Sequence, residues 1–229
     1  MINQKKLESG RSMIEMLGVL AIIGVLSVGG IAGYSKAMLK YKTNKAVDEI
    51  TQLASNIRIA FSNARDYTDL GDGTGNGGKI IDAYNILPGE MYENKDGNGT
   101  NTYQTPWGTP VHFSVSQRTQ NDTGHNRAFQ ITFENIPSSA CAELALADWG
   151  GNASGSGLIA MSTASGSSPT DLAGYYEDAC AGVTDSVHCI VNPSQSIDDA
   201  GHEGFPVGPS SAVLGCGNTG FSSMAWKFY

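Results

Sequence analysis

The chain is 229 residues long, with 40% hydrophobic and 16% charged residues and a formal net charge of -8. This length corresponds to one domain or two. From Ser35 onward there are 11 basic and 20 acidic residues, which gives a formal charge of -9. Such an acidic surface repels phosphate backbones, so nucleic acid is not expected as the main partner. Apolar stretches recur along the chain, which excludes a largely disordered protein.

The first predicted element is an apolar helix near the start of the sequence. Residues 13–34 carry a single charge, that of Glu15. As a helix they would cover about 30 Å, the thickness of a bilayer core, so we predict a membrane-spanning helix. The alternative is a cleaved secretory signal, whose apolar region is about 7 to 15 residues long and ends at a small-residue cleavage site. The stretch here is longer, and no such site follows Tyr34.

The segment before this helix is hydrophilic and ends in Gly10, directly before Arg11. A processing site at that point would leave the apolar helix in the mature protein. Basic residues lie on both sides of the helix, so counting them does not orient it. All four cysteines follow the helix, and an even number without metal-ligand spacing favours disulfides in an oxidising compartment. The region after the helix is therefore expected outside the cytoplasm.

Glu15 is an acidic residue placed just inside the apolar stretch. A carboxylate in that position costs on the order of a few kcal/mol unless it is neutralised, paired or close to the membrane surface. Two interpretations stay open. The residue lies near enough to the surface to remain hydrated, or it accepts a positive group that another chain supplies.

The helical pattern continues past the apolar stretch, since no proline occurs between Gly10 and Pro88. One helix from about Arg11 to Ala64 would be roughly 80 Å long. Its second half carries one apolar stripe, which predicts packing against the rest of the chain. The stripe consists of Ala46, Val47, Ile50, Leu53, Ala54, Ile57, Ala60, Phe61 and Ala64.

The rest of the chain predicts an α+β fold, in which the long helix packs on an antiparallel sheet head with short helices and disulfides. Residues 67–110 are rich in turn formers and predict a long loop region with short elements around 80–87. Alternating apolar residues predict a hairpin from 111–115 and 129–133, and a final strand over 224–229. The other predicted elements are a short helix that starts at Pro137 to Ser139, runs through Ala145 and ends near Gly150, a strand over Leu158–Ser162 and a short helix over Asp171–Ala181.

The four cysteines are Cys141, Cys180, Cys189 and Cys216, and they allow three pairings. We favour Cys141 with Cys216 and Cys180 with Cys189, a nested arrangement of one long loop and one short loop. The long closure would contribute about 4 to 5 kcal/mol in the chain-entropy treatment. Thermodynamics alone does not choose among the pairings.

The N-terminal region resembles that of a type IV prepilin. Residues 10–34 read GRSMIEMLGVLAIIGVLSVGGIAGY, with a glycine before the cut, a glutamate as the fifth residue after it and a long apolar helix following. The resemblance covers residues 1 to about 64, and beyond them it is architectural. The pair Cys141 and Cys216, the large head and the absence of an early helix proline are similar to the type IVb group.

The resemblance implies cleavage between Gly10 and Arg11 by a prepilin peptidase, with N-methylation of Arg11. It further implies polymerisation into a helical filament of identical subunits by the pilus assembly machinery. In that filament Glu15 would neutralise the terminal amine of a neighbouring subunit. The implied location is the bacterial inner membrane, with the head in the periplasm, and afterwards the extracellular pilus. Arg11 departs from the pattern, because the family usually has an apolar residue there.

These features divide the chain into four predicted parts. Residues 1–10 form the leader, 11–34 the transmembrane and assembly half of the helix, 35–66 its amphipathic half and 67–229 the globular head. The main hypothesis is a structural pilus subunit whose helices form the filament core. The alternatives are a minor pilin or type II secretion pseudopilin and, from another class, a membrane-anchored periplasmic binding protein or enzyme.

Other motifs give weaker signals. Asn94, Asp96 and Asn98 resemble the start of a calcium-binding loop, but Thr105 stands where a bidentate glutamate is required. Trp107 lies in a segment similar to a turn of secretion pseudopilins, and we interpret it as a buried aromatic at a turn. The histidines are scattered, and no nucleophile-elbow, zinc-protease or phosphate-loop motif occurs. We expect no metal, no cofactor and no enzymatic activity.

Overall fold

The chain divides into two compact units, with the boundary between Tyr41 and Lys42. The first is a helical segment, and the second contains the sheet. The computed structural model describes residues 13–95, 100–149, 156–166, 171–177, 187–189, 207–218 and 220–229.

Helix α1 spans Met13–Ala60. Among the described residues it is the one helix long and apolar enough to cross a membrane, judged by length and composition. It ends before the predicted end at Ala64, because the following residues form a tighter turn. In that turn the Ala64 amide donates to the Phe61 carbonyl oxygen at 2.9 Å, an i to i+3 bond of the kind that closes helices.

The part of α1 in the second unit buries one face, which confirms the predicted stripe except at Ala64, an exposed residue beyond the end of the helix. Apolar side chains at helical spacing form this face, and they pack into the main core. The buried residues are Thr43, Ala46, Glu49, Ile50, Leu53, Ala54 and Ile57.

The region predicted as a long loop holds several short elements. Helix α2 spans Asn76–Ala83, and the short strands β1 (Tyr92–Asn94) and β2 (Thr102–Tyr103) pair antiparallel. A Cβ at Gly77 would overlap the Leu70 carbonyl group, so only glycine allows α2 to start this close to the preceding turn.

The main sheet is antiparallel. Strands β3 (Val111–Ser116) and β4 (Ala128–Pro137) form the predicted hairpin. Strand β5 spans Leu158–Ser165, β6 spans Val187–Cys189 and β7 spans Phe221–Phe228. The five described strands lie in the order β3-β4-β7-β5-β6, so the strand latest in sequence is central.

Two short helices accompany the sheet. Helix α3 spans Ser138–Ala145. It starts as predicted but ends before the predicted end near Gly150, where the Trp149 indole donates to the Leu144 carbonyl oxygen at 2.9 Å. Helix α4 spans Pro209–Cys216 and was not predicted. A disulfide between Cys141 and Cys216 joins them, with 5.8 Å between the two Cα atoms. Together with the long helix and the antiparallel sheet, this arrangement confirms the predicted α+β fold.

The main core lies between the sheet and the packed part of α1. Phe133 of β4 contacts Trp226 of β7 edge to face, with ring centroids 5.4 Å apart. Both rings are fully buried and belong to one cluster with Ile50 and Leu53 of α1. Burying one side chain of this size stabilises a fold by about 1.5 to 3 kcal/mol.

The opposite face of the sheet carries smaller residues. Ala128, Ala160 and Ala225 form a second buried cluster with Leu172. The predicted helix over Asp171–Ala181 is wrong for residues 171–177, which form an irregular turn, and residues 178–181 lie outside the described part.

Candidate assembly interface

The helical segment of the first unit has an exposed apolar surface. The large apolar residues of this stretch are more than half exposed, and one charged residue, Glu15, lies among them. In water such a surface is unfavourable, so it marks an interaction with lipid or with protein. The exposed residues are Met13, Ile14, Met16, Leu17, Val19, Leu20, Ile22, Ile23, Val25, Leu26, Val28 and Ile31.

The glycines of this surface are not required by packing among the described residues. Apart from the neighbouring backbone of the helix itself, a Cβ added at any of them would have no atom within 4 Å. Small residues on a membrane helix allow another helix to approach closely. These glycines are Gly18, Gly24, Gly29, Gly30 and Gly33.

Glu15 lies exposed in the first described turn of α1. Gly10 and Arg11 lie outside the described residues, so the cut and the methylation remain predictions.

The disulfide between Cys141 and Cys216 closes a loop of 75 residues in sequence separation. It lies in the buried core, since both cysteines are fully buried. The pairing of Cys180 with Cys189 involves side chains outside the described part of the chain and remains a prediction.

A buried acidic residue lies on α1 inside the second unit. Glu49 is 6% exposed, and its Oε1 is 3.7 Å from the Lys45 ammonium group. Lys45 also donates a hydrogen bond to Glu90, whose side chain is exposed. Burial raises the pKa of Glu49 to about 7, although Lys45 acts in the opposite direction. Its Oε2 is buried with no hydrogen-bond partner among the described residues.

A second buried charge lies on the outer face of the sheet. Lys227 of β7 is 0% exposed, and its ammonium group donates to three carbonyl oxygens. The acceptors are Leu172 at 3.1 Å, Ala173 at 3.3 Å and Tyr175 at 2.7 Å. Burial lowers the pKa of this lysine to about 8. The lysine therefore holds residues 171–177 against the sheet.

Sequence reasoning singled out neither buried charge. Glu49 is not part of the predicted apolar stripe of α1, yet the structure buries it one turn after Lys45. Lys227 alternates with Trp226 and Phe228 in a strand that was expected to have a solvent-facing side. Both faces of β7 are buried, and the alternating sequence of this strand did not predict that.

The other motifs form turns among the described residues. The Thr105 hydroxyl pairs with that of Thr109 at 2.7 Å and closes a turn, while residues 96–99 of the calcium-like segment lie outside the description. Trp107 is half-buried at this turn. Within the described ranges, no cluster of three or more His, Cys, Asp or Glu side chains has the arrangement of a metal site.

The chain was compared with protein families, with curated sequences and with solved structures. A model of the Bundlin family matches residues 36–194. The structure is similar to a type IVb pilin from Salmonella typhi, with 16% identity, 80% of this chain and 97% of that chain covered, and a TM-score of 0.47. It is also similar to TcpA, a type IV pilin from Vibrio cholerae El Tor, with 17% identity, 82% and 99% coverage and a TM-score of 0.45. No curated protein sequence matches the chain.

The family match and the fold define the class of protein, a structural subunit that assembles into pilus filaments. The family match covers more than half of the sequence. The chain belongs to the Bundlin family of type IVb pilins.

Proposed function

We propose that the chain is made as a precursor, cut between Gly10 and Arg11 by a prepilin peptidase and methylated at Arg11. The precursor lies in the bacterial inner membrane with its head in the periplasm. The pilus assembly machinery then polymerises the mature chain through α1 into an extracellular filament. The subunit works by packing and needs no catalysis and no cofactor.

The exposed apolar surface of α1 carries this proposal. A surface made of a dozen large apolar residues requires lipid before assembly and protein after it. The glycines along it leave room for neighbouring helices, because no packing among the described residues uses them. A filament core built from copies of α1 would cover the apolar surface with protein and would place neighbouring helices against the glycines.

Glu15 has a specific part in the proposal. Transfer of its carboxylate into an apolar core is unfavourable unless an opposite charge compensates it. The amine that cleavage creates at Arg11 is such a charge, and it is supplied by a neighbouring copy. Contact between these two groups would fix the axial register of one subunit on the next, as buried polar pairs do in other helical assemblies.

The test uses Glu15→Gln, which keeps the shape of the side chain and removes its charge. We expect the variant to be processed and to reside in the membrane at the normal level, with pili lost or strongly reduced in electron micrographs. Glu93→Gln is the matched control, because Glu93 is an exposed acid of the head. Normal pilus numbers from Glu15→Gln would contradict the register role.

Mass spectrometry of the mature chain tests the processing step. The expected N-terminus is Arg11 with one added methyl group. A mature protein that begins at Met1, or one that lacks the apolar helix, would contradict the proposed function as a whole.

A further inference from the structure

A group of aromatic and basic side chains follows directly after the apolar surface of α1. Tyr34 is 66% exposed and Tyr41 is 62% exposed. Lys36 and Lys40 lie between them in sequence and are exposed as well. We call these four residues the interfacial belt. All four belong to the first unit.

The helix distributes the belt around its circumference. Lys36 and Lys40 are four residues apart and lie on one face, whereas Tyr34 and Tyr41 are seven apart and lie on the opposite face. Along the axis the belt covers about 10 Å, at about 1.5 Å per residue. Residues 13–34 cover about 30 Å, so the belt begins where a bilayer core would end.

The chemistry of the belt matches the surface of an anionic membrane. Tyrosine rings are enriched where hydrocarbon meets headgroups, and lysine side chains extend their ammonium groups toward phosphates. No Asp or Glu occurs between Glu15 and Asp48, although the chain from Ser35 onward has a formal charge of -9. Lysines are therefore concentrated at the point where the helix leaves the apolar stretch.

We propose that the interfacial belt binds the headgroups of anionic phospholipids, and that this contact sets the depth of the helix in the membrane before assembly. The proposal rests on the membrane-anchored precursor described under the proposed function. An acidic head close to an anionic surface is repelled, and the belt supplies the local attraction that offsets this repulsion. The lipid contact must be released when the subunit enters a filament.

The experiment uses the full chain reconstituted in phosphatidylcholine vesicles that contain a minor fraction of phosphatidylglycerol. Spin-labelled phosphatidylglycerol and phosphatidylcholine report which lipid the protein keeps in its first shell. We expect a preference for phosphatidylglycerol that weakens with added salt. Lys36→Gln and Lys40→Gln should each reduce it, by up to about fivefold for one lysine, and the double variant should reduce it further.

Lys79→Gln is the matched control, because Lys79 is an exposed lysine of α2 in the head. The control should leave the lipid preference unchanged. Equal affinity for the two lipids, or a preference that survives in the double variant, would overturn the proposal. Loss of pili in the double variant with an unchanged lipid preference would also overturn it, since the lysines would then act between subunits.

Resistance to alkaline extraction separates this proposal from the proposed function. A chain that is extracted from the vesicles has no membrane-spanning helix, and the proposed anchoring then fails. A chain that resists extraction but shows no preference for phosphatidylglycerol keeps the proposed function and refutes the lipid contact alone.

Discussion

At the scale of single residues, the head contains two buried charges whose surroundings differ. Glu49 has one lysine nearby and one carboxylate oxygen with no hydrogen-bond partner among the described residues. Lys227 has three carbonyl oxygens around its ammonium group. Burial works against the charged form of both groups. The first charge is therefore poorly compensated, whereas the second is bound by its neighbours.

The raised pKa of Glu49 predicts that stability depends on pH. The folded head binds this proton more tightly than the unfolded chain, because the pKa is about 7 in the fold and 4.5 in the reference state. The contribution is fully present below about pH 4.5 and is lost as the pH rises through about 7. We expect the free energy of unfolding to fall by on the order of 2 kcal/mol over this window.

Glu49→Gln should remove this dependence, since the amide does not titrate. Urea denaturation at several pH values measures the effect. The histidines titrate in both proteins, so the difference between the two curves isolates Glu49. The free energy of unfolding is measured from pH 5 to pH 8 at intervals of about one pH unit. If it changes with pH equally in both proteins, the titration of Glu49 does not contribute to the pH dependence of stability.

Lys227→Met is expected to destabilise the head by about 1 to 3 kcal/mol, because carbonyl oxygens around the removed ammonium group lose their donor. Residues 171–177 should also become more accessible, since Lys227 binds three of their carbonyl groups. Hydrogen exchange of this segment and urea denaturation measure the two effects. Lys79→Met, at an exposed site, is the control, and equal behaviour of both variants would refute the role of Lys227.

At the scale of elements, alternation and helical spacing predicted the features that pack by apolar contacts. The hairpin β3–β4, helix α3, strand β5 and the buried stripe of α1 are all present. The stripe of α1 buries one regular face, and β3 begins with such alternation, which is what these patterns encode. Strands β4 and β5 are buried on both faces. The central position of β7 was not predictable, because strand order depends on contacts between distant parts of the chain.

The helix predicted over Asp171–Ala181 shows how tertiary contacts override a local pattern. In residues 171–177 the Leu172 amide donates to the Gln130 side chain at 3.1 Å, and several carbonyl groups accept from Lys227. These contacts hold the segment as an irregular turn, in which the Tyr175 amide donates to the Leu172 carbonyl oxygen at 3.1 Å. Helix α4 was missed for a local reason, since Gly215 and two serines obscure its pattern even though Pro209 is a good first residue.

The candidate interface was predicted more fully than the buried charges. The apolar stretch and Glu15 were visible in the sequence because an exposed apolar helix leaves an uninterrupted run of residues. Glu49 and Lys227 were not, because their burial arises from elements that lie far away in sequence.

The disulfide of α3 with α4 predicts a large loss of stability when it is removed. Its 75-residue separation corresponds to a contribution of about 4 to 5 kcal/mol in the chain-entropy treatment. The double variant Cys141→Ser and Cys216→Ser should unfold at a much lower urea concentration than the oxidised protein. An unchanged midpoint would show that the contacts between α3 and α4 hold the two helices without the covalent link.

At the scale of the whole molecule, the two units differ in how much apolar surface they expose. The first exposes a continuous apolar helix, whereas the exposed large apolar residues of the second are few among those described, such as Tyr84, Phe221 and the adjacent pair Val213 and Leu214. The main core, from Ala46 to Phe228, lies within the second unit. The described residues of the first unit therefore take no part in the main core.

Removal of residues 1–35 should accordingly give a soluble, folded head. The family match begins at residue 36, and the buried face of α1 lies beyond that point. We expect a monomer without detergent by size-exclusion chromatography with light scattering, while the full chain requires detergent. Aggregation of the truncated protein would show that the head needs the first unit to fold or to stay soluble.

The position of β7 has a consequence for how the head is made. Strands β4 and β5 are not paired with each other, and β7 joins them from the far end of the described sequence. Because the ribosome makes a polypeptide from its N-terminus, this strand is synthesised after all the other described strands. The sheet is therefore completed late in biosynthesis, once residue 228 has been added.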